Sequence, residues 1–150
     1  MPIKAVINQI KRDTQIWRSE IHGIEHWRRV EQNGHLVAEA NGGDKDVITY
    51  FSFLHDCQRW NEFEDPLHGP RAAAYAKRHR PMIDLDDCRF KLLLRACSGH
   101  TSAAPCGRAG ADPTIAACWD ADRLDIDRVG ISVDPHYLFS RFAKDLVAWS

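Results

Sequence analysis

An all-α fold is predicted by three observations. Apolar residues recur every three or four positions almost throughout, no segment alternates over a strand length, and Gly and Pro cut the chain into helix-length pieces. Of the 150 residues, 34 are Leu, Ile, Val or Phe, above the content at which a chain stays disordered. A chain of this size buries about 70% of the surface its unfolded form exposes, enough for one core but hardly for two. The expectation is a compact single-domain bundle of about six to eight helices.

The first helix is expected from about Pro2 to Trp17, with Pro2 in the first turn and Val6, Ile10 and Ile16 facing inward. The second runs from about Ile21 to Ala40 and stops at Gly42-Gly43. Asp44 is a natural N-cap for the third, about Lys45 to Arg59, whose Val47, Ile48, Phe51 and Leu54 make it the expected central helix. The fourth starts near Pro70 and runs through RAAAYAKRH to Pro81. The fifth covers about Leu85 to Ser98, with Phe90, Leu93, Leu94 and Cys97 on one side.

Gly99 to Pro113 is too rich in breakers to be regular and reads as a functional or mobile loop over a pocket. A sixth helix follows from about Thr114 to Leu124, then a break at Gly130 and one or two short helices between Pro135 and Trp149.

With 20 basic and 21 acidic residues the net charge is -1, so no nucleic-acid polymer is expected as a partner. The most apolar stretch, Val47 to Leu54, is broken by Thr49 and Ser52 and is far shorter than the roughly 20 residues of a membrane span. No membrane association is expected. The N-terminal segment lacks an uninterrupted apolar signal core, which makes the cytoplasm the expected location. The cysteines, Cys57, Cys88, Cys97, Cys106 and Cys118, are odd in number and form no CxxC pair, as expected of reduced thiols.

Function is sought where polar residues sit on apolar faces. His26 shares a face with Val30 and Val37, His55 is in line with Ile48 and Phe51 with Asp56 beside it, and Asp122 is in line with Ile115 and Cys118. Singly, each suits a core histidine, a chance dipeptide or a carboxylate paired with Arg123 or Arg128. Together they turn two imidazoles and two carboxylates inward from three helices. A buried carboxylate costs several kcal/mol unless it is paired or binds a metal. A mixed nitrogen and oxygen set suits a divalent transition metal (Mn, Fe, Co, Ni or Zn) better than Ca.

In this order the residues resemble the HD-domain superfamily of metal-dependent phosphohydrolases, helical proteins with an ordered H...HD...D ligand set. His26 opens HWRRV, similar to the family's HxxRV; His55-Asp56 form the doublet; Asp122 lies in ADRL. The resemblance covers roughly residues 19 to 130. It implies metal coordination by His26, His55, Asp56 and Asp122. His68 in DPLHGPRAA and His100 in ACSGH are similar to histidines that some HD-type proteins add. Two roles remain open for them: ligands of a second ion, or unligated donors to a phosphoryl oxygen.

The motif HGIEH, residues 22 to 26, spells the HxxEH of inverted zinc peptidases, but the downstream Glu ligand is missing, since no Glu follows Glu64. His22 still lies one turn from His26, and two readings stay open for it: a residue of the same cavity in contact with substrate or a metal-bound water, or a helix N-terminal residue with no task. His79 is read as a solvated helix end, and His35 and His136 as surface residues. Trp27, Trp60 and Trp119 suit core better than a pocket lining.

A divalent ion lowers the pKa of its water and polarises the group under attack, which suits a phosphate ester. Arg59 and Arg123 are the candidates for stabilising charge on phosphorus, and Asp120 for orienting water or holding Arg59. The resemblance implies a small phosphorylated substrate, a nucleotide among the options. A homo-oligomer is compatible with the sequence. Two alternatives stand beside the hydrolase. With His68 and His100 ligating, the set resembles HD-type di-iron oxygenases. A non-catalytic metal- or ligand-binding module is the third.

Overall fold

In the computed structural model, residues 2–101 and 112–149 are described, and they form seven α-helices and no strand. The chain is an all-α bundle, as expected. The helices are α1 (Pro2–Asp13), α2 (Ile24–Asn41), α3 (Lys45–Leu54), α4 (His68–Arg78), α5 (Asp87–Gly99), α6 (Pro113–Arg123) and α7 (Arg141–Trp149).

Helix ends follow local chemistry. Asp44 caps α3 by accepting from Asp46 N and Val47 N, Asp86 caps α5 through Arg89 N, and Asp112 caps α6 through Thr114 N and Ile115 N. Gly42 closes α2 at φ +82°, a conformation that costs glycine little.

Several expected boundaries shift, α2 starting at Ile24 instead of about Ile21 and α5 at Asp87 instead of about Leu85. The first helix stops at Asp13 instead of Trp17: Thr14 still bonds back to the Ile10 carbonyl, and the chain then tightens into a 3-10 turn, Ile16–Arg18. The third stops at Leu54 instead of Arg59, where the chain tightens into an i+3 turn from Leu54 O to Cys57 N and the His55 ring takes the Ser52 carbonyl. The fourth begins at His68, two residues before Pro70, which the unbonded first turn tolerates. Of the expected loop, residues 102–111 lie outside the described residues, and so does Cys106.

Helix α3 is the centre of the core, with Val47 to Leu54 buried on every side. It packs on α2 and α5, and α2 packs on α6. A Cβ at Gly34 would collide with the Ile48 side chain, so the close approach of α2 to α3 requires glycine there. Asp44 also ties α3 to α5, accepting from Arg89 Nε at 2.6 Å and Nη2 at 2.9 Å. No described helix is long and apolar enough to cross a membrane. Cys57, Cys97 and Cys118 are buried free thiols and Cys88 is an exposed one.

Candidate metal centre

The histidines and aspartates singled out above come from one end of the bundle. His26 is in the first turn of α2, His55 and Asp56 follow the end of α3, His68 opens α4, His100 follows α5, and Asp122 is in the last turn of α6. His26 and His55 are fully buried and Asp56 is 2% exposed, so their charges need compensation from within.

The spacing is that of donors around one ion. His26 Nε2 lies 3.3 Å from His55 Nε2, 3.3 Å from Asp56 Oδ2 and 3.1 Å from Asp122 Oδ1. His55 Nε2 lies 3.3 Å from Asp56 Oδ2 and 3.4 Å from Asp122 Oδ1. Bonds of about 2.0–2.2 Å to one metal separate neighbouring donors by about 3.0 Å at right angles and about 3.4 Å at the tetrahedral angle. Asp56 Oδ2 and Asp122 Oδ1 are buried and have no hydrogen-bond partner.

A second group shares Asp56. Its Oδ1 lies 2.9 Å from His68 Nε2 and 3.5 Å from His100 Nε2, and those two nitrogens are 2.9 Å apart. Each carboxylate oxygen of Asp56 therefore faces its own pair of imidazoles. Both groups could hold a metal ion.

The tautomers agree with ligation. His26 Nδ1 faces Asp125 Oδ2 at 2.7 Å, His55 Nδ1 the Ser52 carbonyl at 2.9 Å, His68 Nδ1 the Asp65 carbonyl at 2.5 Å and His100 Nδ1 the Cys97 carbonyl at 2.7 Å. All four partners only accept, so each Nδ1 carries a hydrogen and each neutral ring offers a lone pair at Nε2.

Charge balance follows the same plan. Burial alone would keep His26 neutral, but the Asp122, Asp125 and Asp56 carboxylates outweigh it and raise its pKa to about 9. His55 likewise rises to about 10, Asp56 and Asp122 prevailing over burial. The two carboxylates are held well below the usual range against their burial, His55 being the largest opposing influence on each.

The remaining candidates divide. Arg59 is at the site, with Nε 3.6 Å from Asp56 Oδ1 and Nη1 donating to the Asn61 and Phe63 carbonyls. Asp120 is not: its carboxylate accepts from Phe139 N at 2.7 Å and Ser140 N at 2.8 Å, anchoring the chain before α7 instead of water or Arg59. Arg123 donates to the Tyr137 carbonyl and lies over the Phe139 ring, and it lines a separate groove with Ile126 and Ile131. His22 is buried beside Asp56, its basicity lowered by burial and by Arg59.

Elsewhere, His35 is half-buried and bonded to Thr49 Oγ1 instead of free at the surface, His79 packs on Tyr75, and His136 is exposed. Trp27 and Trp119 are core, whereas Trp60 is exposed under the Arg71 guanidinium at 3.7 Å.

Of two further residues at the site, Asp125 was not singled out by sequence, and Arg128 was named there only as an ion-pair partner for Asp122. Asp125 joins His26 to Arg29, whose Nε donates to it at 2.8 Å. Arg128 has Nη2 3.8 Å from Asp122 Oδ1 and lines, with Arg59 and Phe63, a cavity of about 470 Å³ that opens on Asp56, His68, His100 and Asp122. The DRLDIDR run contained the signal for Asp125, which lies three residues beyond Asp122 and so near its helical face.

Comparison of the chain with protein-family models, with curated proteins and with solved structures gives no match. Fold and site together define an all-α protein with a buried His/Asp cluster that could hold a metal ion.

Proposed function

We propose that the chain is a metal-dependent phosphohydrolase of the HD type, acting on a phosphate ester of a small metabolite. The metal would be held by His26, His55, Asp56 and Asp122, with His68 and His100 completing a second position through Asp56. The single observation that carries the hydrolase reading is the pair of guanidinium groups, Arg59 and Arg128, lining the cavity beside these ligands.

When bound, a divalent ion supplies a more acidic water and polarises a phosphoryl oxygen. The chain's own residues do the rest. Arg59 and Arg128 bind the phosphoryl group and offset charge on its equatorial oxygens. The four Nδ1–H donations and the Asp125 bridge fix the ring planes, so that little reorganisation is needed during the reaction. In the net reaction an oxygen of water bonds to phosphorus, the ester oxygen leaves, and the leaving oxygen ends with a proton from that water.

The Asp56–His68–His100 group favours one second reading, a di-iron oxygenase. Elemental analysis of protein purified without chelator, followed by assay on a phosphomonoester panel and for oxygen uptake, separates the two. Mn, Co, Ni or Zn with phosphate release supports the hydrolase. Two irons per chain with oxygen consumption support the oxygenase. Protein that takes up metal yet turns over neither is a binding module, and protein that binds no metal overturns both enzyme readings.

A further inference from the structure

Three buried polar atoms cluster at the Asp56 carboxylate without a hydrogen-bond partner: His22 Nδ1, Asp56 Oδ2 and Arg59 Nε. His22 Nδ1 is 4.0 Å from Asp56 Oδ2, and Arg59 Nε is 3.6 Å from Asp56 Oδ1. The His22 side chain is only 5% exposed, so bulk solvent does not satisfy it.

The His22 tautomer is fixed from outside the cluster. Nε2 faces the Glu62 carbonyl at 3.1 Å, and a carbonyl only accepts, so Nε2 carries the hydrogen and Nδ1 presents a lone pair toward Asp56. Two acceptors 4.0 Å apart cannot bond to each other. They match one molecule that donates to both, because two hydrogen bonds of about 2.8 Å from one oxygen, opened near the water angle, put their acceptors about 4–4.5 Å apart. The Arg59 Nε–H is a donor for that oxygen's lone pair. Two donors and an accepting oxygen describe water. His22 itself stands outside the group of ligating atoms formed by His26, His55, Asp56 and Asp122.

We propose that His22, Asp56 and Arg59 build a binding site for one ordered water, and that His22 is the positioning residue that aims it as the nucleophile; the nucleophile role rests on the phosphohydrolase reading. Asp56 thereby links this site to the ligand set, and Arg59 links it to the phosphoryl-binding wall of the cavity.

Two substitutions separate the Nδ1 acceptor from the bond to Glu62. His22→Asn brings a carbonyl oxygen near the place of Nδ1 and gives up Glu62. His22→Gln reaches Glu62 with its amide and offers no acceptor near Nδ1. The proposal expects His22→Gln to lower kcat on the order of 100-fold, with KM and metal per chain unchanged, and His22→Asn to recover about tenfold of that loss. The reverse order means that His22 only holds Glu62, and it overturns the positioning role.

A readout independent of turnover is a high-resolution crystal structure of the wild-type protein. A water peak within about 3 Å of both Nδ1 and Oδ2 is expected, and well-defined density for His22 and Asp56 with no peak between them overturns the water site. If the peak is present and no phosphate ester is turned over, the hydrolase reading falls and the water site stands.

Discussion

His26 Nε2 and His55 Nε2 lie 3.3 Å apart in a place where neither ring is free to turn away, since Asp125 holds one Nδ1 and the Ser52 carbonyl holds the other. Two lone pairs aimed at each other need a cation between them. Without a metal the neighbouring carboxylates, Asp122, Asp125 and Asp56 at His26 and Asp56 and Asp122 at His55, draw a proton onto each ring against its burial, raising them to about 9 and about 10.

The first prediction follows from that competition. At pH 7 the metal-free rings are imidazolium, and a metal must displace their protons. Below pH 9 the apparent affinity should rise with pH by up to about a hundredfold per unit, with about two protons released per ion, and flatten once the rings are neutral. Titration calorimetry in buffers of different ionisation enthalpy measures the proton count. A pH-independent affinity would sink the ligand assignment of His26 and His55.

Asp56 is the one carboxylate shared by both groups, so its loss should differ in kind from the loss of either histidine pair. Asp56→Ala is expected to reduce bound metal to a trace and to destabilise the metal-free protein by about 3 kcal/mol, because it removes one buried partner of the charged imidazoles and leaves Asp122 and Asp125 alone to balance them. His68→Ala should remove only the second ion. Metal per chain by elemental analysis and unfolding in denaturant check the two together. Equal metal loss in both variants would contradict separate positions.

The fold was legible in the sequence because apolar spacing reports which face is buried, and α2 to α6 all lie where the spacing put them. Helix ends were less legible. At Leu54 the chain tightens into a turn to Cys57 while the His55 ring takes the Ser52 carbonyl, local choices that no periodicity records. The ligand residues were legible as ionisable groups on apolar faces. Arg128 was legible only as an ion-pair partner for Asp122 and not as part of the cavity wall, because it lies beyond α6, in the 3-10 turn Ile126–Val129, where helical spacing no longer predicts direction. Arg123 and Asp120 misled for the opposite reason: adjacency to Asp122 in sequence puts them on other faces of the helix, toward Tyr137 and Phe139.

Asp125 acts through His26. Asp125→Asn keeps an acceptor for Nδ1–H but gives up the charge that Arg29 and His26 both lean on. Metal affinity should fall about 10–100-fold, as for other partners of metal-bound histidines, while Asp56, His68 and His100 keep the second position. Competition against a chelator of known affinity measures it, and an unchanged affinity would reduce Asp125 to an ion pair with Arg29.

Asp44 should govern acid sensitivity away from the metal centre. Its pKa is lowered by the bidentate Arg89 bond, against partial burial, with the α3 cap adding to it. A lowered carboxylate stabilises the fold above its unfolded pKa near 3.8, and that contribution is lost as pH falls through the lower folded value. Asp44→Asn should flatten the acid limb of stability against pH without changing metal content. An acid limb identical to wild type would mean that other carboxylates set it.

Asp120 separates structural need from chemistry. Its two oxygens take the N–H groups of Phe139 and Ser140, in a residue with no solvent exposure, and so dock the chain that leads into α7, including the buried Leu138. An asparagine can accept only one of these bonds and turns an NH2 toward the other N–H. Asp120→Asn should therefore cost about 1–3 kcal/mol of stability, read as a lower denaturant midpoint. Metal per chain should stay at the wild-type value, because neither oxygen faces the ligand set. A metal-deficient but fully stable Asp120→Asn protein would return this carboxylate to the centre and undo its assignment to the α7 anchor.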